Sequence, residues 1–279
     1  MFDPMPELAP PPFCLTLMTD NPAQAAAADA AGVDRIGVDL EIKGKVERQR
    51  SRPSWIAGHA LDDLRKVAQA LRQAALFTRI HPFALGGRDE LEQVLDAGAS
   101  VVMLPMFRSA AEALEFVHSV AGRAQPVLLL ETMEAAQDLP ALLRSQADFE
   151  IHIGLNDLGL SRGHRSPFAM LTDSLLSDIA RQVLASGRRL AVGRLARPGQ
   201  SALTINPDLI LALTVKLGAS ASFLSQYFSK EGHPENAAWM TEAVAALRQR
   251  ARHWQQQPAT LLEQAMAQLR EQVAAAERG

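Results

Sequence analysis

The chain is poor in cysteine. One residue in 279, Cys14, is of that type, so no internal disulfide can form, which fits a reducing, cytoplasmic setting. Cys14 lies in an apolar run and reads as a buried, inert thiol. An excess of base is also missing: 28 Lys and Arg stand against 31 Asp and Glu, for a net charge of −3. Nothing here suggests nucleic acid, because the Arg-rich stretch at 48–52 is offset by nearby acids. No apolar run approaches the roughly 20 residues of a membrane span. The first twelve residues are acidic and proline-rich, unlike a signal peptide, and read as a disordered lead-in. A glycine-rich phosphate fingerprint is absent after the first apolar run, which disfavours a doubly wound open sheet.

What the chain has is a repeat of short apolar runs and helical patterns. Strands are expected at 13–18, 35–40, 75–80, 100–104, 127–131, 150–154, 189–194 and 221–225. Between them the spacing predicts helices over 22–31, 60–73, 88–97, 109–121, 133–145, 167–186 and 206–217. Several of these strands are apolar on both faces, as parallel strands covered by helices are. Gly32, Gly98, Gly187 and Gly218 fall where a helix should end, the place for a left-handed cap. Eight strands alternating with helices read as an α/β fold, a (β/α)₈ TIM barrel over 13–231. Residues 232–279 form a helical extension whose apolar stripe, Leu261, Leu262, Met266, Leu269 and Val273, must be covered by the barrel or by a neighbouring subunit. A homo-oligomer is expected on that account.

In such barrels the chemistry gathers at the carboxyl ends of the strands. That rim carries Asp39 and Glu41, Thr78-Arg79-Ile80-His81, Leu104-Pro105-Met106, Glu131, Gly154-Leu155-Asn156-Asp157, Arg194, and Ser225-Gln226. Glu131 and Asp157 each follow a short apolar strand, where a carboxylate costs desolvation and does little for folding. If their strands pair, one spacing (about 4.8 Å) separates them, which suits one oxygen-loving cation with water and substrate completing its shell. The competing reading is a pair of helix N-caps. Arg79 is the basic residue best placed to clamp a carboxylate or a keto-acid oxygen, the alternative being a structural ion pair with Asp39 or Glu41. The turn 154–157 offers free N–H groups to a substrate carboxylate.

The segments "LLLET" (128–132), "IGLNDLGLS" (153–161), "VMLPM" (102–106), "TRIHP" (78–82) and "AGVDRIGVDLE" (31–41) together resemble the HpcH/HpaI aldolase and citrate lyase β-subunit family over about 13–228. The resemblance implies a barrel that binds Mg²⁺ or Mn²⁺, with Co²⁺ admissible, and makes or cleaves C–C bonds beside a keto acid or an acyl-thioester. It implies Glu131 and Asp157 as metal ligands, Arg79 at the pyruvyl oxygen, and the substrate-binding group Gly154, Leu155, Asn156, Asp157 and Pro105.

One departure stands out. The family's aldolases carry an acid–histidine pair after the second strand, and here that segment reads Asp39-Leu40-Glu41-Ile42-Lys43. His59 is the candidate acid/base group, swinging in from the loop 42–58 with its five Lys or Arg residues and Trp55. The alternative is that His59 only starts the next helix. His81 and His152 are weaker candidates, His152 filling a barrel layer. The catalytic set expected is thus Arg79, His59, Asp39 and Glu41, in a metal-dependent carbon–carbon lyase acting at a pyruvate-type enolate. A citrate-lyase-like enzyme comes second, since no adenine-binding feature supports coenzyme A. A silent barrel that only binds a small acid comes third.

Overall fold

The structure is a computed structural model that describes residues 13–41, 60–200, 203–230 and 232–278. Eight parallel strands close on themselves in chain order, β1 (Cys14–Met18), β2 (Arg35–Asp39), β3 (Ala75–Arg79), β4 (Val101–Leu104), β5 (Gln125–Leu130), β6 (Glu150–Ile153), β7 (Leu190–Leu195) and β8 (Ala221–Leu224). The helices alternate with them as α1 (Pro22–Ala30), α2 (Leu61–Ala70), α3 (Gly87–Asp96), α4 (Ala110–Val120), α5 (Met133–Leu143), α6 (Leu155–Ser161), α7 (Ser174–Ala185), α8 (Pro207–Lys216) and α9 (Gln226–Ser229). This is the (β/α)₈ barrel that the alternation implied.

The period of two along each strand divides the barrel wall into two chemistries. Ile36, Val38, Leu76, Val102, Leu104, Leu128, Leu130, Ile151, Ile153, Leu190 and Val192 point outward into the helix layer and belong to the main core. The inner face holds a separate apolar layer of Phe77, Val101, Met103, Val127, Leu129 and Phe223. Below it, Arg35 and Glu150 form a bidentate pair at 2.7 and 2.7 Å. They stand on β2 and β6, four strands apart in a ring of eight, so the pair spans the barrel floor. Cys14, Ala191 and Ala221 are the small residues beside it, and burial pushes the Cys14 thiol up, keeping it protonated.

Helix starts follow their caps. Thr132 Oγ1 accepts from Ala135 N at 3.1 Å, and Asp173 Oδ1 accepts from Leu175 N at 2.9 Å. All four glycines marked as helix ends have positive φ. Two differences from the sequence pattern concern helices. The helix expected from 167 begins only at Ser174, after a 3₁₀ turn at Ala169–Leu171, because Asp173 supplies the cap. The short α6, which carries Asp157, stands inside a stretch too brief for helical periodicity to show.

Two helices follow the barrel, α10 (Ala237–Gln255) and α11 (Ala259–Arg278). Their buried stripes, Met240, Val244 and Leu247 on one and Met266, Leu269 and Val273 on the other, join the main core. Asp208 at the start of α8 accepts from Arg250 Nε and Nη2 at 2.6 Å each and from Trp254 Nε1 at 3.0 Å. Among the described residues no helix is long and apolar enough to cross a membrane.

Candidate active site at the barrel mouth

The inner-face residues at the carboxyl ends of the strands are polar, in contrast to the apolar layer beneath. Asp39 and Arg79 are Cα partners in the β2–β3 register, so their side chains leave on the same face. Arg79 Nε donates to Asp39 Oδ1 at 2.8 Å and Nη2 donates to Oδ2 at 2.5 Å, while Nη1 lies 3.4 Å from Glu41 Oε2. All three side chains are at most 5% exposed. Burial alone would lower the guanidinium pKa, but Asp39 and Glu41 outweigh it and hold Arg79 firmly cationic. The ion pair weighed as an alternative therefore exists. It fixes the plane of the guanidinium, and each Nη carries a second N–H in that plane.

Glu131 follows β5 directly and is 3% exposed. Its Oε1 accepts from the backbone N–H of Met106 at 3.1 Å. That N–H is turned toward it by an uncommon backbone, Met106 having φ +56° just after the buried Pro105. Glu131 does not cap α5, since Thr132 occupies that position. Opposite it lies Gly154, whose N–H bonds to Leu130 O at 3.0 Å. A Cβ on Gly154 would stand 2.9 Å from both Glu131 Cβ and Oε2. The absent side chain is what gives the Glu131 carboxylate its room. Asp157 sits in the first turn of α6, where the helix dipole favours an anion, and Gly154 is that helix's N-cap without a side-chain bond. Asp157, Leu155 and Gly154 are half-buried and Asn156 is exposed.

Among the described residues no group of three or more His, Cys, Asp and Glu side chains could hold a metal. The rim instead offers the two carboxylates Glu131 and Asp157. This all-oxygen set fits a hard divalent cation that keeps several waters, and it lacks the imidazole and thiolate donors of a zinc site.

Two of the candidate histidines, His81 and His152, are engaged by other groups. His81 is tied to Glu90 of α3, its N–H at 2.6 Å and its Nδ1 at 3.1 Å. His152 is buried in the inner layer, its ring 4.5 Å from that of Phe223. Desolvation drives its pKa down to about 3, so it is neutral. His59 and the loop 42–58 lie outside the described residues. A separate groove of about 480 Å³ runs outside the barrel between α7, α8 and α11, lined by Leu184, Leu213 and Met266, and none of the rim residues borders it.

Comparison with protein-family models gives no match, and comparison with curated proteins gives none. Solved structures do match. An HpcH/HpaI aldolase from Desulfitobacterium hafniense DCB-2 superposes with a TM-score of 0.57 at 16% identity, covering 77% of this chain and 86% of that one. The chain shares that fold. An HpcH/HpaI aldolase/citrate lyase family protein from Burkholderia cenocepacia J2315 gives 0.59 at 14%, covering 77% and 88%. The citrate synthase SbnG gives 0.55 at 14%, covering 76% and 85%. At these identities the likeness is one of fold.

Sequence reasoning missed two features of the site. Met106 is a rim residue by sequence, but its N–H donation to Glu131 depends on a positive φ that leaves no mark in composition. Gly154 was read only as a donor of N–H groups, and its role in clearing space for Glu131 depends on the β5–β6 register.

Proposed function

We propose that the chain is a divalent-metal-dependent carbon–carbon lyase that cleaves or forms a bond beside a pyruvate-type enolate. The observation that carries this reading is the oriented Arg79. A guanidinium locked by Asp39 and Glu41 at the strand ends, sharing its rim with Glu131 and Asp157, suits a reaction that develops negative charge on one oxygen. The fold neighbours, two of them described as aldolases or members of an aldolase/citrate lyase family, agree with it.

In this reading Glu131 and Asp157 would hold Mg²⁺ or Mn²⁺, which supplies positive charge to the pyruvyl oxygens when bound. Arg79 donates its remaining N–H groups to the oxygen that becomes the enolate. The N–H groups of Leu155, Asn156 and Asp157 receive the keto-acid carboxylate, that of Gly154 being spent on Leu130 O, and Pro105 walls that subsite. Asp39 and Glu41 act as orienting groups, because both are engaged with Arg79. Proton transfer then falls to His59. In the synthetic direction a pyruvate methyl proton leaves, the enolate carbon bonds to the carbonyl carbon of the acceptor, and the new alkoxide takes up a proton. Cleavage runs the same steps backward.

The test is exchange of pyruvate methyl protons with D₂O, followed by NMR with and without Mg²⁺ or Mn²⁺. Metal-dependent exchange in the native protein, lost in Glu131→Ala and in Asp157→Asn, is the expected result. No exchange with any metal would remove the pyruvate reading and favour a thioester substrate or a binding role.

A further inference from the structure

The chain just past β5 is stitched to the chain just past β4 at two consecutive residues. Glu131 Oε1 accepts from Met106 N at 3.1 Å, and Thr132 Oγ1 donates to Phe107 O at 2.9 Å. One bond thus runs in each direction between the pairs 106–107 and 131–132. The Thr132 hydroxyl also accepts from Ala135 N at 3.1 Å. A hydroxyl has one proton and a carbonyl oxygen only accepts, so that proton is committed to Phe107. Thr132 is therefore more than the cap of α5. A cap uses only the oxygen's lone pairs, and an Asp would serve as well.

The second bond bears on the first through Met106. Its φ of +56° is a backbone that a non-glycine residue keeps only where its surroundings hold it. Before it, the ring of Pro105 fixes the chain. After it, Phe107 is fully buried in the main core, and its carbonyl is the one that Thr132 holds. Thr132 is itself 3% exposed, so water does not compete for the bond. The next tie along the chain, Met133 N to Ser161 Oγ at 2.8 Å, lies at the surface, where water can stand in for it.

The outcome is an oriented carboxylate. With Oε1 on the Met106 N–H, Oε2 is the oxygen that lies 2.9 Å from where a Cβ on Gly154 would stand. Gly154 opens α6, whose first turn carries Asp157. Glu131 turns one edge to the chain past β4 and the other toward the start of the Asp157 helix.

We propose that Thr132 is a positioning residue for Glu131. By holding Phe107 O it keeps the 105–107 turn bent so that the Met106 N–H meets Oε1, and Glu131 presents its Oε2 edge to a divalent cation. The proposal rests on the preceding reading for the cation, and not for the orientation of the carboxylate.

The test reads the turn and the metal separately. In the native protein without metal, the Met106 amide proton, followed by NMR, should exchange with D₂O at least about 100-fold more slowly than in an unfolded chain. Thr132→Val keeps the shape and loses the hydroxyl. It should speed that exchange, and it should weaken Mn²⁺ binding about tenfold in electron paramagnetic resonance titration. Thr132→Ser keeps the hydroxyl and should restore both. Asp208→Ala, remote from the rim and also destabilising, should bind Mn²⁺ as the native protein does.

An unprotected Met106 amide in the native protein overturns the proposal whether or not any variant folds. A Thr132→Val protein with native exchange at Met106 overturns it too, as does a serine variant as impaired as the valine one. Equal weakening in Asp208→Ala would assign the effect to lost stability and also overturn it. Native Mn²⁺ affinity in Thr132→Val, beside its loss in Glu131→Ala, has the same force. Native Mn²⁺ affinity in Glu131→Ala instead removes the metal reading, and exchange at Met106 then decides the proposal by itself.

Discussion

Asp39 grips Arg79 at two points, Oδ1 to Nε at 2.8 Å and Oδ2 to Nη2 at 2.5 Å, from the neighbouring strand and in register with it. Two parallel hydrogen bonds fix a plane as well as a distance. The pair has two consequences, one for stability and one for charge placement, and they separate by substitution.

Arg79→Ala removes the buried cation that Asp39 grips at two points and that Glu41 approaches. Loss of one partner from a buried pair costs about 3–5 kcal/mol, so urea denaturation should show a clearly lowered midpoint. Arg79→Lys retains charge but not the fork, and should keep most of the stability while losing about 100-fold in pyruvate exchange. A lysine variant with full exchange would show that the plane of the guanidinium is immaterial.

Gly154→Ala places a methyl 2.9 Å from Glu131 Oε2 and Cβ. The strand ladder stays intact, since the Gly154 N–H remains. The expected effect is a displaced carboxylate, seen as Mn²⁺ affinity weakened about 10-fold or more by electron paramagnetic resonance titration, with a small change in melting temperature. Unchanged Mn²⁺ binding would separate Glu131 from the metal.

His152 should show no imidazole titration by NMR between pH 8 and pH 5, because its folded pKa is about 3. The unfolded chain binds a proton near pH 6.5, so the unfolded state holds more protons in the window between. The contribution to stability is therefore complete above about pH 6.5 and declines by roughly 1.4 kcal/mol per unit as pH falls toward 3. A denaturation midpoint flat from pH 7 to 5 would contradict this.

Asp208 ties α10 to α8. Burial acts to raise its pKa, but the hydrogen bonds from Arg250 and Trp254 prevail and hold it below the usual carboxylate value. Its contribution is present above about pH 4 and lost as acid protonates it. Asp208→Ala at pH 7 should lower stability by about 1–3 kcal/mol and speed hydrogen exchange in α10 more than in β4 or β5. Uniform exchange would mean that the helix pair opens only with the whole barrel.

The barrel was legible because its signal is periodic. Runs such as Val127–Leu130 and Ile151–Ile153 are apolar on both faces, and the glycine at each helix end marks the interval. The rim was legible for a related reason, since an acid that follows a buried strand, as Glu131 does, has no folding role to explain it. What escaped depends on register. Gly154 shows its role in clearing space for Glu131 only once β5 and β6 are aligned, and His152 reads as filler until its carbonyl partner is known. Arg79 illustrates the intermediate case, where the sequence names both partners and only the geometry shows that Asp39 takes two bonds and Glu41 the looser contact.

The inner layer of Phe77, Val101, Met103, Val127, Leu129 and Phe223, with the Arg35–Glu150 pair beneath it, fills the barrel below the rim, so the rim is reached from the mouth side. Traffic through a single doorway is first in, last out. A molecule seated deep beside Glu131 and Gly154 is trapped for as long as another occupies the mouth, and the outer one must depart before the inner one can follow. Product inhibition patterns would therefore carry the imprint of an apolar layer that touches no atom that reacts.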